Sequence, residues 1–292
     1  IQIHRELTVR PGVSKDDIAR VMLSLARDYS KAKRFDRAAA TYENLLKVRP
    51  NDETALTELL EVYEEMDEWD KAYGVRRTLS RIRKVDDTHS LALYKAHVGK
   101  RFLDKDLLKE AESNLKDALK IDSECVPAYL YLGDLYYRQG KLDDAISSWR
   151  RIVTMFPEIA YITFRRLEKA FYEKGRFEKI LDLYNDVLER NPRDVRTLMT
   201  LANIYRKKGN IEDAIRLCRT ALEFDPDSRR VKQALARLYY EKGDIEQSLK
   251  TMVEAFNGFS SDDEVYTCRN CNYKASEVLW RCPRCKEWET FV

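Results

Sequence analysis

The sequence predicts an all-α protein: a superhelical solenoid of about seven stacked helix pairs, followed by a small C-terminal metal domain. Three observations carry this expectation. One sequence slot recurs along most of the chain at intervals close to 34 residues. Gly and Pro number only 9 and 7 in 292 residues while 35% of residues are charged, a composition of long solvated helices rather than of an all-β fold. Four of the six cysteines fall near the C-terminus in two Cys-x-x-Cys pairs.

The clearest repeat unit is Tyr129-x-x-Leu132-Gly133-x-x-Tyr136, followed by Ala145, Trp149 and Pro157. These residues resemble the tetratricopeptide repeat in type and offset, a helix–turn–helix unit that buries its apolar face only by stacking on neighbours. Ala26, Tyr29, Ala38, Tyr42 and Pro50 make another copy, and Ala202, Tyr205, Ala214, Cys218, Ala221 and Pro226 a third. The slot near the start of each second helix falls at Ala38, Ala72, Ala111, Ala145, Ile180, Ala214 and Ser248, with gaps of 34, 39, 34, 35, 34 and 34. The reading is seven repeats, preceded at residues 1–10 by the second helix of a truncated eighth. The long gap predicts an insertion around Lys84–His89. Residues 1–260 are expected to form the solenoid and 261–292 the metal domain, with Ser260-Ser261-Asp262-Asp263 as the polar break.

Each recurring residue type has a physical task. Small residues such as Gly133, Ala202 and Ala236 let paired helices approach. Tyr29, Tyr136, Tyr205 and Tyr239 fill the space between repeats. Gly140, Gly175, Gly209 and Gly243 are expected to end first helices in the left-handed conformation, and Pro50, Pro157, Pro192 and Pro226 to stop second helices. Cys218 takes an apolar slot and reads as core; Cys125 receives no role.

Lys and Arg total 53 against 50 for Asp and Glu, a net charge of +3, which gives no argument for nucleic acid. No apolar run reaches the ~18 residues of a membrane helix, and there is no signal peptide. The sequence opens at Ile1 inside an apparent amphipathic helix, so it is expected to be a truncated piece of a longer chain. No phosphate loop, His-Glu helix motif or nucleophile with a base is present, and an enzyme is not expected.

First helices of such repeats line the inner groove. The repeat offsets place Arg20, Arg27 and Lys31 there in the first full repeat and Glu61, Glu64 and Glu65 in the second. Arg165 and Lys169 follow in the fifth, Arg196, Asn203, Arg206 and Lys207 in the sixth, and Arg230 and Arg237 in the seventh. The groove is therefore expected to be basic in its C-terminal half and acidic near its N-terminal end. Capture of an acidic peptide or a carboxylate-bearing partner is the functional reading; an ordinary solvated helix face is the competing and commoner one. Asn203, Arg206 and Arg237 resemble only in part the carboxylate clamp of chaperone-binding repeats.

Cys268, Cys271, Cys282 and Cys285 are spaced C-x2-C-x10-C-x2-C. Two such knuckles place four thiolates around one ion. Zinc is the first choice and a single rubredoxin-type iron the alternative, because ligand type does not separate them; two disulfides remain a third arrangement. Four protein ligands leave no open coordination position, so the ion reads as structural. The short segment cannot build a core alone, and metal should drive its folding. Tyr266, Tyr273, Trp280, Trp288 and Phe291 are expected to cover the site or dock it on the last repeats.

A repeat array followed by Tyr266-x-Cys268-x-x-Cys271-x-Tyr273-x-Ala275 and then Trp280-x-Cys282-Pro283-x-Cys285-x-x-Trp288 resembles the lipopolysaccharide assembly protein B family, over essentially the whole chain. The openings Ile1–Leu7, Ala26–Tyr29 and Phe35–Ala38 are also similar to it. The resemblance implies a rubredoxin-like or zinc-ribbon domain and an adaptor on the cytoplasmic side of the bacterial inner membrane. It implies proteins as partners: a membrane AAA+ protease, the lipid A deacetylase whose degradation it promotes, and lipopolysaccharide assembly proteins. It also implies an N-terminal anchor and one to two repeats missing from this sequence. Asn272 stands where Gly often follows a knuckle, and Asn tolerates the left-handed turn. A redox or electron-transfer module on a repeat scaffold and a general co-chaperone are the competing functions.

Overall fold

The computed structural model describes residues 1–8, 14–176, 178–256, 266–275 and 277–291. Among them are fifteen α-helices, a lone α1 (Gln2–Thr8) and then seven pairs. The pairs are α2 (Lys15–Lys31) with α3 (Phe35–Val48), α4 (Glu53–Glu65) with α5 (Trp69–Arg83), and α6 (Thr88–Asp104) with α7 (Leu108–Ile121). They continue with α8 (Val126–Arg138) and α9 (Leu142–Met155), α10 (Tyr161–Glu173) and α11 (Glu178–Arg190), α12 (Val195–Lys207) and α13 (Ile211–Phe224), and α14 (Arg229–Lys242) and α15 (Ile245–Phe256). The seven repeats read from the sequence are the seven pairs. The chain forms two compact units, Ile1–Ser148 and Trp149–Val292. The expected boundary at 260/261, its polar break and the last two residues of the truncated repeat lie outside the described residues.

Helix starts follow local chemistry. The Ser14 hydroxyl accepts the Asp17 amide at 3.1 Å ahead of α2, whose first turn carries Asp16 and Asp17 against the positive helix end. Asp52 caps α4 through the Ala55 amide at 3.0 Å, and Asp194 caps α12 through the Arg196 amide at 3.1 Å. Each proline that the sequence offers as a stop lies two residues past a second helix, as Pro50 does after Val48 and Pro226 after Phe224.

First helices all end in one way. The residue in the turn has positive φ in every repeat: Lys33 at 55°, Asp67 at 56°, Asp106 at 60°, Gly140 at 74°, Gly175 at 67°, Gly209 at 83° and Gly243 at 90°. The next amide then bonds the carbonyl of an aromatic residue five positions back. Arg34 reaches Tyr29, Glu68 Tyr63, Leu107 Phe102, Lys141 Tyr136, Arg176 Phe171, Asn210 Tyr205 and Asp244 Tyr239, at 2.8–2.9 Å. This is the Schellman bond that satisfies an orphan carbonyl and reverses the chain. The first three turns hold the geometry with residues that carry a Cβ. The sequence marks only the four glycine turns and only four of the seven aromatics.

The reversed helices meet through small residues. Ala38, Ala72, Ala111, Ala145 and Ala214 are fully buried, and Ser248 is buried with its hydroxyl donating to the Ala236 carbonyl at 2.8 Å. Ile180, the one large residue in this slot, is half-buried. In the third pair the approach needs glycine, since a Cβ on Gly99 would lie 2.6 Å from Cγ of Leu115. Cys125 and Cys218 are both buried, and burial pushes the Cys218 thiol up to about 12, consistent with an inert core residue.

The insertion expected around Lys84–His89 lengthens helices rather than the connection between them. The connection from α5 to α6 has the same length as that from α3 to α4, but α6 has 17 residues where α4 has 13, and α5 has 15 where α3 has 14. With Gly99 and Gly133 aligned on their helix ends, the addition to α6 is one N-terminal turn. A whole turn keeps the buried face in register.

The shared turn gives a direct expectation. A left-handed L-residue costs about 1–2 kcal/mol, and glycine's added unfolded-state entropy recovers about 0.5–1 of that. Lys33→Gly should therefore raise stability by about 0.5–1 kcal/mol in a chemical melt followed by circular dichroism. A loss of stability would show that this turn is unstrained.

Candidate metal centre and inner groove

The C-terminal segment contains two short strands, β1 (Tyr266–Thr267) and β2 (Lys274–Ala275), paired antiparallel with Tyr266 opposite Ala275. Its cysteines sit on two turns of the same construction. In the first, the Cys268 amide bonds the Tyr273 carbonyl and the Asn272 amide bonds the Cys268 carbonyl, both at 2.9 Å. In the second, the Cys282 amide bonds the Glu287 carbonyl at 2.8 Å and the Lys286 amide bonds the Cys282 carbonyl at 2.9 Å. The residue after each second cysteine is left-handed: Asn272 at φ 56° and Lys286 at φ 64°. The turn therefore does survive with Asn in place of Gly.

These knuckles bring together all four sulfurs, which lie within 4.8 Å of one another. Cys268 and Cys285 approach to 3.6 Å and Cys271 and Cys282 to 3.5 Å. A tetrahedral S4 shell with metal–sulfur bonds of about 2.3 Å has sulfur separations of about 3.8 Å, whereas a disulfide needs about 2.05 Å. The geometry fits one ion and no disulfide, and a four-cysteine metal-binding site is present. No fifth ligand joins the cluster among the described residues. Of the histidines, His4 lies 2.8 Å from Asp28 and His89 2.6 Å from Asp122.

The surroundings prepare unequal thiols. Burial raises the Cys268 thiol, but the Thr290 hydroxyl and the Cys271 and Asn270 amides outweigh it and bring it down to about 6. The Glu287 amide, with Asn270, lowers Cys285 against burial. Burial and the neighbouring sulfurs hold Cys271 up at about 12. A cation removes that last penalty by supplying the missing positive charge. Around the sulfurs there is little core: Tyr273 meets Phe291 edge-on at 6.4 Å, and Arg281 lies 5.8 Å from the centre of the Trp288 ring.

Tyr266 points elsewhere. It lines a cavity of about 680 Å³ on the first helices of the last three repeats, α10, α12 and α14. Arg165, Arg196, Asn203, Arg206, Arg230 and Arg237 line it too; Lys169 and Lys207 are exposed on the same helices but do not. Five arginines thus face one lining carboxylate, Glu168, which accepts the Tyr184 hydroxyl. Arg206 and Arg237 each lie 3.0 Å from Glu241, and Arg206 also donates to Asn203 at 3.2 Å. Arg196 lies over two rings, 4.2 Å from the centre of Tyr161 and 5.5 Å from that of Tyr266. Those rings are nearly parallel, 6.4 Å apart at 11°. The arginines were legible from repeat offsets. Glu241 could have been found as the residue four past Arg237; Tyr266 was expected to cover the metal site or dock its segment on the last repeats, and it does the latter against Tyr161, a residue with no sequence signal for this role.

In the first unit two of the three expected basic residues, Arg20 and Arg27, are spent. Arg27 Nε donates to both Glu58 oxygens at 2.9 Å, and Arg20 lies 3.6 Å from Asp17. The acidic character of the second repeat is felt at Glu61, whose carboxyl is raised by burial and then by Glu58, Glu64 and Glu65.

Comparison with known proteins agrees with both parts. Tetratricopeptide repeat models match residues 102–157, 171–238 and 205–266, and a second such model matches 23–73. A rubredoxin metal binding domain model matches 266–292. Lipopolysaccharide assembly protein B of Escherichia coli strain K12 is 24% identical over 99% of this chain and 75% of its own length. The protein of that name from Haemophilus influenzae is 24% identical over 99% and 73%. The crystal structure of MamA protein aligns with TM-score 0.42 at 22% identity, over 59% of this chain and 92% of that one, a likeness too loose to carry weight.

Because the knuckles have almost no core of their own, Cys282→Ser should release the ion and loosen residues 266–291 while α1 to α15 stay folded. Metal analysis should show loss of one equivalent, with helical circular dichroism nearly unchanged. Collapse of the helical signal would mean that the repeats depend on the metal.

Proposed function

We propose, from the premise that this chain belongs to the tetratricopeptide repeat family and ends in a rubredoxin metal binding domain, that it is a non-enzymatic adaptor. Its inner groove would hold an acidic segment of a partner protein. The observation that carries this reading is the cavity on α10, α12 and α14, where five arginines meet a single lining carboxylate. Guanidinium groups clustered in a concavity bind carboxylates by paired hydrogen bonds, and low-dielectric walls strengthen the field. Arg165, Arg196, Asn203, Arg206, Arg230 and Arg237 are the contact residues, with Lys169 and Lys207 adding charge nearby.

The name shared by the curated relatives, lipopolysaccharide assembly protein B, supports a finer assignment. In it the adaptor balances lipopolysaccharide synthesis by presenting the lipid A deacetylase to a membrane AAA+ protease on the cytoplasmic side of the inner membrane. No described helix is long and apolar enough to cross a membrane. Recovery of the deacetylase and the protease with the tagged, anchored protein is the expected outcome. Recovery of neither would remove the assignment.

The ion assigned to the four cysteines is zinc, acting structurally, since four thiolates close the coordination shell. The purified protein should be colourless and contain one zinc per chain. A coloured protein with stoichiometric iron would instead favour the redox reading.

Charge reversal tests the groove. Arg206→Glu with Arg237→Glu should weaken partner capture at least tenfold, the scale of losing charge-assisted hydrogen bonds of about 1.5–3 kcal/mol. Glu241→Gln frees the same two arginines from their internal carboxylate and should tighten capture several-fold. Unchanged affinity in both variants would place the partner on another face.

A further inference from the structure

We infer that the metal centre controls the groove: the loaded knuckles hold Tyr266 as a wall of the arginine cavity, so acidic peptides bind more tightly to the metal-loaded protein than to the stripped one. This rests on the proposal that the groove receives an acidic segment, and adds its regulation.

Tyr266 stands two residues before the ligand Cys268 and, among the described residues, is the one cavity-lining residue supplied by the metal segment. Its backbone is fixed by pairing with Ala275, and beyond it the Cys268 amide closes the first knuckle onto Tyr273. Two strands of two residues have no independent stability. What keeps them in register is the closure of both knuckles on a shared ion, so that releasing the ion releases Tyr266.

The ring matters to the groove through Arg196. That guanidinium lies over Tyr161 from α10 and Tyr266 from β1, which face each other nearly in parallel. Stacking holds an arginine by its π face and leaves the N–H edge for a carboxylate. The backbone below is set by Asp194, which accepts the Arg196 amide, and the Thr197 hydroxyl at 2.6 Å. Only the outer portion of this arginine is therefore left to order, and the second ring does it. Without Tyr266 the side chain must be immobilised by the ligand itself, and the cavity opens to water on that side. Both effects reduce affinity for an anion.

The probe is a fluorescein-labelled deca-glutamate peptide, followed by anisotropy with the full 292-residue chain. Zinc-loaded protein should bind it in a salt-sensitive way, and removal of zinc with a chelator should weaken binding about three- to tenfold. Tyr266→Ala with zinc retained should show the same loss, and stripping its metal should add little more. Tyr266→Phe should bind as the native protein does, because the stack needs the ring and not the hydroxyl. Equal binding by loaded and stripped protein would overturn the inference, as would a full further loss when Tyr266→Ala is stripped. If the peptide failed to bind loaded protein at all, the groove reading would fall. The link between metal and Arg196 would then be decided by phenylglyoxal labelling read by peptide mapping, where metal removal should raise Arg196 modification several-fold. Unchanged labelling would refute the link on its own.

Discussion

The fold depends on one backbone event repeated seven times. A chain leaving a first helix must reverse within three residues and still satisfy the carbonyls it strands. The left-handed residue does both, because it turns the next amide back onto the aromatic carbonyl five positions earlier. The angle between paired helices follows from that bond, and the fully buried alanines then find their places without adjustment. The turn dictates the pair, and the pair dictates which face of each first helix is left for a ligand.

The repeat was legible because its signals are local and additive. Glycine in the turn, alanine near the start of the second helix and proline after its end each report on one conformation within a few residues. What escaped the sequence was the same conformation without its usual residue. Lys33, Asp67 and Asp106 take the turn because the surrounding pair requires it, and no residue preference announces that. Likewise the additional residues near Lys84 register in the sequence only as an insertion and become a helical turn in the fold, because a whole turn keeps the buried face in register. At the metal centre, Cys-x-x-Cys spacing is itself a geometric statement, so the ligand set could be read directly. The groove was half legible: periodicity places the arginines on one face, but the Tyr266 wall arrives from a segment some seventy residues past Arg196.

Electrostatics give the two sites different characters. Among the sulfurs, hydrogen bonds favour the thiolate at Cys268 and Cys285 while burial resists it at Cys271, an imbalance that a bound cation resolves. In the groove the imbalance is positive and only partly offset. Glu241 occupies two arginines at once, and under the proposed function it sets the threshold a partner's carboxylate must exceed. Such an internal competitor makes recognition selective, since a single weakly placed anion gains little by displacing it.

The seven turns are alike in shape but unequal in ease. Three, all in the first unit, keep side chains in a conformation they resist; four, from Gly140 onward, do not. In an array where each repeat leans mainly on its neighbours, melting begins where the local free energy is shallowest. Fraying should accordingly advance from the lysine and aspartate end, and the arginine-bearing repeats would be the last to lose order.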